Sequence, residues 1–222
     1  MAETVLFIAP HPDDEVLGAG GTIARYSAEG KNVYVLIATK ASPPLYTDKD
    51  AESGRTEARA AHSKLGVKET FFFDFPAAML DQVPCHVINK EFCGIINHLR
   101  PHTIFIPHIG DIHNDHQVVF NSTMVASRPN NDYYPRRILS YETLSETNWN
   151  APNVTPAFIP NMYVDITQYL PNKIAAWNAY ASQHKLFPLE RSTETINALS
   201  MLRGSAMNMR AAEAFIILRN VE

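Results

Sequence analysis

Cysteine is scarce in this chain of 222 residues. Cys85 and Cys93 are its only thiols, and they lack the C-x2-C spacing of a zinc ribbon or redox motif. A disulfide framework is excluded, and reduced thiols of a cytosolic protein are expected. Basic clusters are missing too. A net charge of −4 with no basic run argues against nucleic acid as a partner. No stretch approaches the roughly 18 uncharged residues that a membrane span needs. The start, Met1-Ala2-Glu3 and one short apolar run, is too short and too acidic for a signal peptide. A cytoplasmic location follows as an expectation. Gly18-Ala19-Gly20-Gly21 lacks the third glycine of a dinucleotide fingerprint and begins well past the preceding apolar run. Its glycines predict close helix packing or substrate approach instead. Ser42 has no base in a nucleophile context, which argues against a serine hydrolase. Repeats and low-complexity tracts are absent.

What is present alternates. Thr4–Ala9 and Asn32–Thr39 are continuous apolar runs rich in β-branched residues, suited to strands buried on both faces. Thr70–Phe73 and Thr103–Pro107 repeat the pattern. Between them, helices are predicted over Leu17–Glu29 with Gly30 as C′ residue, Ala51–Leu65 stopped by Gly66, His86–Leu99 and His116–Ala126. Further along, strands are predicted at Arg137–Tyr141, Met162–Val164 and Ala214–Leu218, with a helix at Asn172–Ser182. The segment from Pro129 to Pro160 reads as long loops around a site. This order implies one α/β domain over residues 1–222: a Rossmann-like three-layer α/β/α fold whose mainly parallel sheet has strand order 3-2-1-4 at its centre.

Two short clusters carry the chemistry: His11-Pro12-Asp13-Asp14-Glu15 and Asp111-Ile112-His113-Asn114-Asp115-His116. Imidazoles and carboxylates are costly to crowd together unless a cation or a proton transfer uses them. Two histidines and one carboxylate suit zinc and leave a position open for water, whereas structural zinc is closed by four protein ligands. Fe2+, Co2+ and Mn2+ also occupy such mixed sites. Both clusters follow strands, at the carboxyl end where open parallel sheets bind ligands. With order 3-2-1-4, strands one and four are neighbours and their loops flank one crevice. Pro12 biases His11 toward extended backbone, so that His11 and Asp14 point at one metal with Asp13 free beside it. Asn114 or Asp115 is expected to cap the following helix, with His116 in its first turn and His113 just outside.

These residues resemble the PIG-L/LmbE-like family of zinc-dependent N-acetylglucosaminyl deacetylases. The resemblance rests on Ala9-Pro10-His11-Pro12-Asp13-Asp14-Glu15, on Gly18-Ala19-Gly20-Gly21-Thr22 and on His113-x-Asp115-His116. Weaker matches are Arg55 to Gly66 and Ala212-Glu213-Ala214-Phe215. It implies that His11, Asp14 and His116 bind zinc, that Asp13 is the general base, and that His113 is an acid or electrostatic stabiliser oriented by Asp115. The implied substrate is a small N-acetylated amino sugar, often joined to a lipid, nucleotide, inositol or malate; the alternative is a non-sugar N-acyl amide. Many relatives have a tyrosine where this chain has Ala211, which puts substrate contacts from the C-terminal strand in question.

Outside the clusters, Arg55 either grips substrate or pairs with an acid such as Glu52. Asp111 either positions substrate or caps a turn. His108, in the loop after the fourth strand, is a further substrate-binding candidate. His62, His86, His98, His102 and His184 are expected to be surface or internally satisfied groups. Trp149 and Tyr133-Tyr134 could stack on a sugar, pack internally, or mediate a homo-oligomer.

Overall fold

Val5 through Ala9 are buried at every position, so the first strand needs a partner layer on each face, and it receives one. The computed structural model describes residues 2–151 and 153–222. β1 (Thr4–Ala9) lies between β2 (Asn32–Lys40) and β4 (Thr103–Pro107), parallel to both. β3 (Glu69–Pro76) extends the sheet beyond β2, and β5 (Arg137–Tyr141) beyond β4. β7 (Ala212–Asn220) then runs antiparallel between β5 and β6 (Met162–Asp165). The full order is β3-β2-β1-β4-β5-β7-β6, which contains the expected 3-2-1-4.

Side-chain alternation along β1 feeds two cores. Val5, Phe7 and Ala9 pack with α1 (Asp14–Ala28), α2 (Asp48–Leu65) and α5 (Leu170–Trp177), and Leu6 and Ile8 pack with α3 (Cys85–Leu99) and α4 (Asn114–Ala126). Each such buried side chain contributes about 1.5–3 kcal/mol. Phe7 stacks on Phe105 at 4.4 Å, stitching β1 to β4 directly beneath the two clusters.

Several boundaries differ from the sequence reading. α1 starts at Asp14 rather than Leu17, because Asp13 carbonyl already accepts from Val16 and Leu17 N–H at 3.0 Å. α2 starts at Asp48, since Thr47 and Asp50 form a reciprocal capping box ahead of Ala51. α5 spans Leu170–Trp177 and stops short of Ser182. An additional helix, α6 (Thr193–Ser205), is present, capped by Ser192 accepting from Thr195 N–H. Only Ile196, Ser200 and Gly204 of α6 are buried, too sparse a stripe to read as periodicity.

The glycines of α1 serve packing. A Cβ on Gly18 would run into the Tyr141 ring, and one on Gly21 into Ile166. Behind them lies a buried ion pair. Lys173 Nζ donates to Glu213 Oε1 at 2.6 Å and to Leu17 carbonyl at 2.8 Å. Glu213 also accepts from the Gly21 and Thr22 N–H groups at 2.9 and 2.7 Å. β7 and α5 are thereby fastened to the middle of α1. None of the helices, among the described residues, is long and apolar enough to cross a membrane.

Candidate metal centre and active site

The parallel pairing of β1 with β4 brings the two clusters together. His11 leaves the tip of β1, and His113 and His116 open α4 after β4. The His11 ring lies 4.5 Å from His113 and 5.4 Å from His116, centroid to centroid. His113 is itself the N-cap of α4: its Nδ1 accepts from Asp115 N–H at 3.1 Å. The expected caps, Asn114 and Asp115, instead form the first helical residues. A histidine ring nitrogen is an uncommon capping acceptor, so sequence rules favour the shorter polar side chains.

Ligating atoms of His11, Asp14 and His116 all lie within 4.8 Å of one another. Asp14 Oδ2 is 3.2 Å from His11 Nδ1 and 3.2 Å from His116 Nε2. Among the described residues, Asp14 Oδ1 and His116 Nε2 are buried without a hydrogen-bond partner, an arrangement that costs about 1–3 kcal/mol per group unless something else satisfies them. Two neutral nitrogens and a carboxylate oxygen are a donor set that fits Zn2+ or a related divalent ion. A second grouping, His11 with His113 and Asp115, shares one ring. Asp115 is committed elsewhere, because its oxygens accept from Ala78 and Leu80 N–H at 2.6 and 3.2 Å.

Each histidine of the trio has its other nitrogen fixed by a carboxylate. His11 Nε2 meets Asp115 Oδ2 at 3.0 Å, and His116 Nδ1 meets Asp111 Oδ2 at 2.8 Å. Asp111 is held in turn by the Thr147 hydroxyl at 2.6 Å. Such backing sets the tautomer and ring orientation of metal-binding histidines. Asp115 therefore touches both neighbours: its carboxylate orients His11, and its amide, rather than its side chain, orients His113. Burial alone would favour neutral rings, but hydrogen bonds that His11 donates to the Asp115 and Asp14 carboxylates raise it to about 9. His116 is likewise raised to about 10, against burial, by the charge of Asp14 and the bond to Asp111. His113 behaves oppositely. Burial and the neighbouring His11 charge lower it to about 4, so its ring is neutral near pH 7. With Nδ1 accepting from an amide, the His113 proton sits on Nε2.

Asp13 is almost fully buried and has φ 128° and ψ −30°, a conformation that costs a non-glycine residue about 1–3 kcal/mol. Its Oδ2 accepts from Arg191 at 2.7 Å, and Oδ1 takes no hydrogen bond from the described residues. Burial holds the Asp13 carboxyl above its ordinary range. Arg191 opposes this, and the charges of Asp14 and Glu15 reinforce it. Arg191 also bonds Ser145 Oγ at 2.8 Å and lies 3.6 Å from Glu146. It sits in the loop ahead of α6, and no motif in its sequence neighbourhood marks it.

His11, Asp13 and His113 line one side of a cavity of about 450 Å³, closed on other sides by Lys40, Arg55 and Arg191. That volume falls within the usual range for small-molecule sites. Arg55 faces this cavity but pairs with Asp74 at 2.5 Å and with Phe73 carbonyl, not with Glu52. Asp111 and His108 do not line it. Asp111 stands behind His116, and His108 bonds Pro156 carbonyl at 3.0 Å. Ala211 is buried away from it as well. Trp149 is exposed, outside the cavity lining.

Comparison with known proteins places this geometry. Residues 6–127 match the family described as GlcNAc-PI de-N-acetylase, PIG-L. A protein named an uncharacterized deacetylase, YaiS, from Escherichia coli is 27% identical over 186 residues, covering 80% of this chain and 90% of its own. Diacetylchitobiose deacetylase from Thermococcus kodakarensis is 27% identical over 225 residues, covering 94% and 80%. The crystal structure of the conserved protein TT1542 from Thermus thermophilus superposes with a TM-score of 0.79 at 25% identity, covering 100% of this chain and 97% of that one.

Proposed function

Since this chain belongs to the GlcNAc-PI de-N-acetylase (PIG-L) family, we propose that it is a zinc-dependent hydrolase removing the acetyl group from an N-acetylated amino sugar. The observation that carries the reading is the convergence of His11, Asp14 and His116 beside a buried, cavity-facing Asp13. The name of one relative, diacetylchitobiose deacetylase, supports the substrate class.

His11, Asp14 and His116 are the residues that would hold the ion. The chemistry it supplies when bound is Lewis-acid activation of water, whose pKa falls to roughly 7 at such sites. Asp13 takes the second proton from the attacking water through its free Oδ1. It then returns that proton to the amine nitrogen as the C–N bond breaks and acetate leaves. Its raised pKa brings proton affinity toward the working pH, and Arg191 keeps the carboxylate aimed at the cavity. The neutral His113 donates from Nε2 to the carbonyl oxygen as negative charge gathers there, and losing such a donor costs about 3–4 kcal/mol of barrier. Asp111 and Asp115 act through the histidines they fix.

The test is release of acetate and free amine from N,N'-diacetylchitobiose and N-acetylglucosamine conjugates by the zinc-loaded protein, beside a panel of non-sugar N-acyl amines. Turnover restricted to the non-sugar panel would replace the substrate assignment with a general amidohydrolase. Absence of turnover on both sets would overturn the hydrolase reading.

A further inference from the structure

Glu15, the last residue of the first cluster, has no part in the mechanism above, yet it is completely buried and fully bonded. Its Oε1 accepts from the Tyr180 hydroxyl at 2.6 Å and from His62 Nε2 at 3.0 Å. Its Oε2 accepts from the backbone N–H of Asp13 at 3.2 Å. His62 is anchored at its other nitrogen by Thr70 Oγ1 at 2.7 Å. Tyr180 and His62 are both buried. The chain of contacts runs from β3 through α2 to the first turn of α1, and from the segment after α5 to the same carboxylate. It ends on Asp13, whose backbone is strained.

We propose that Glu15, His62 and Tyr180 are positioning residues, which act by pinning the Asp13 amide and so keep its carboxylate presented to the cavity. The proposal rests on the reading of Asp13 as the base. A residue at φ 128° persists only where its surroundings over-determine it. Here the peptide group after Asp13 is fixed by its carbonyl accepting from Val16 and Leu17 at 3.0 Å. Among the described residues, the peptide group before it is fixed by Glu15 alone, which cannot turn because Tyr180 and His62 hold its other oxygen. Without that grip the Asp13 peptide can rotate toward ordinary negative φ, and its side chain leaves Arg191 and the cavity wall. A role confined to joining α1 with α2 would call for bonds to Glu15 Oε1 alone. The bond that the strained amide donates to Oε2 is the observation that it leaves unexplained.

The experiment compares the zinc-loaded full chain with Tyr180→Phe, which removes one hydroxyl and keeps the ring, and with Glu15→Gln. Each is assayed on N,N'-diacetylchitobiose, with zinc content measured and amide hydrogen exchange followed residue by residue. Expected for Tyr180→Phe is a fall in kcat of about tenfold or more, with KM within about twofold and zinc unchanged, as when a buried hydrogen bond to a charged group is lost. Exchange at the Asp13 amide should accelerate by a similar factor while Phe7 and Ile8 in β1 stay protected. Glu15→Gln should show the same pattern. A kcat within about twofold of wild type, or exchange that rises across β1 together with Asp13, overturns the proposal in favour of a purely structural tie. If the wild-type protein deacetylates no sugar, the functional reading fails. Selective exchange at Asp13 still decides the pinning role in that case.

Discussion

Replacing Asp13 by asparagine separates the two roles that a carboxylate in this site could have. Asparagine keeps the shape, so Arg191 retains Ser145 Oγ, Gln183 Oε1 and Glu146 as partners, and the trio of His11, Asp14 and His116 is untouched. Zinc content should therefore match wild type. Loss of a general base that also supplies the leaving-group proton is worth about 10²–10⁴ in kcat. That corresponds to about 3–5 kcal/mol of barrier. Stability should move the other way. Asp13 has a folded pKa above its ordinary value, chiefly through burial. Its contribution to stability is complete below the ordinary carboxylate range and is lost as pH rises through the raised value. Near neutrality the unfolded chain has released a proton that the folded Asp13 still holds, so Asp13 weakens the metal-free fold there, and an amide, which does not titrate, relieves it. The assay is kcat and zinc stoichiometry for Asp13→Asn, with thermal melts of the metal-free proteins at pH 5 and pH 7. A kcat within about tenfold of wild type refutes the base assignment, and loss of zinc would make Asp13 a ligand. A melting temperature that drops more at pH 7 than at pH 5 refutes the stability argument.

Three other outcomes are expected. Asp111→Asn should weaken zinc binding by about 10–100-fold, read by competition with a chelator, because His116 loses the carboxylate that fixes its tautomer. Zinc loading should tighten as pH rises from 6 to 9, with protons released in calorimetry across buffers, since His11 and His116 are held protonated to about 9 and about 10 without the ion. Equal affinity across that range would contradict it. Gly18→Ala should destabilise by about 1–3 kcal/mol in denaturant melts, because the added methyl meets the Tyr141 ring.

How much of this could be read from the chain follows from where the forces are local. β1 and β4 were legible because strands buried on both faces are near-continuous apolar runs. The meeting of His11 with His116 was legible because parallel order and the switch point are topological rules. Asp111 and Asp115 were legible as charged neighbours, but which ring each one holds depends on how α4 begins. Arg191, Glu146 and Tyr180 were not legible. Each is brought to the site by a loop or helix end whose path is set by distant packing, and none belongs to a recognisable motif. His62 reads from sequence as a surface or internally satisfied group, and it is the latter. What it satisfies, a glutamate under the strained Asp13, exists only in three dimensions.

The buried Lys173–Glu213 pair has a consequence for how the protein comes apart. Peeling either β7 or α5 away would strand a bare charge inside the apolar interior, a penalty of about 3–5 kcal/mol. Fraying of the C-terminal third is thereby discouraged, and the loss of its last strand is tied to the loosening of α1, which carries Asp14. Melting in one step is the expected outcome, and a partly open form that sheds its tail is disfavoured from the outset.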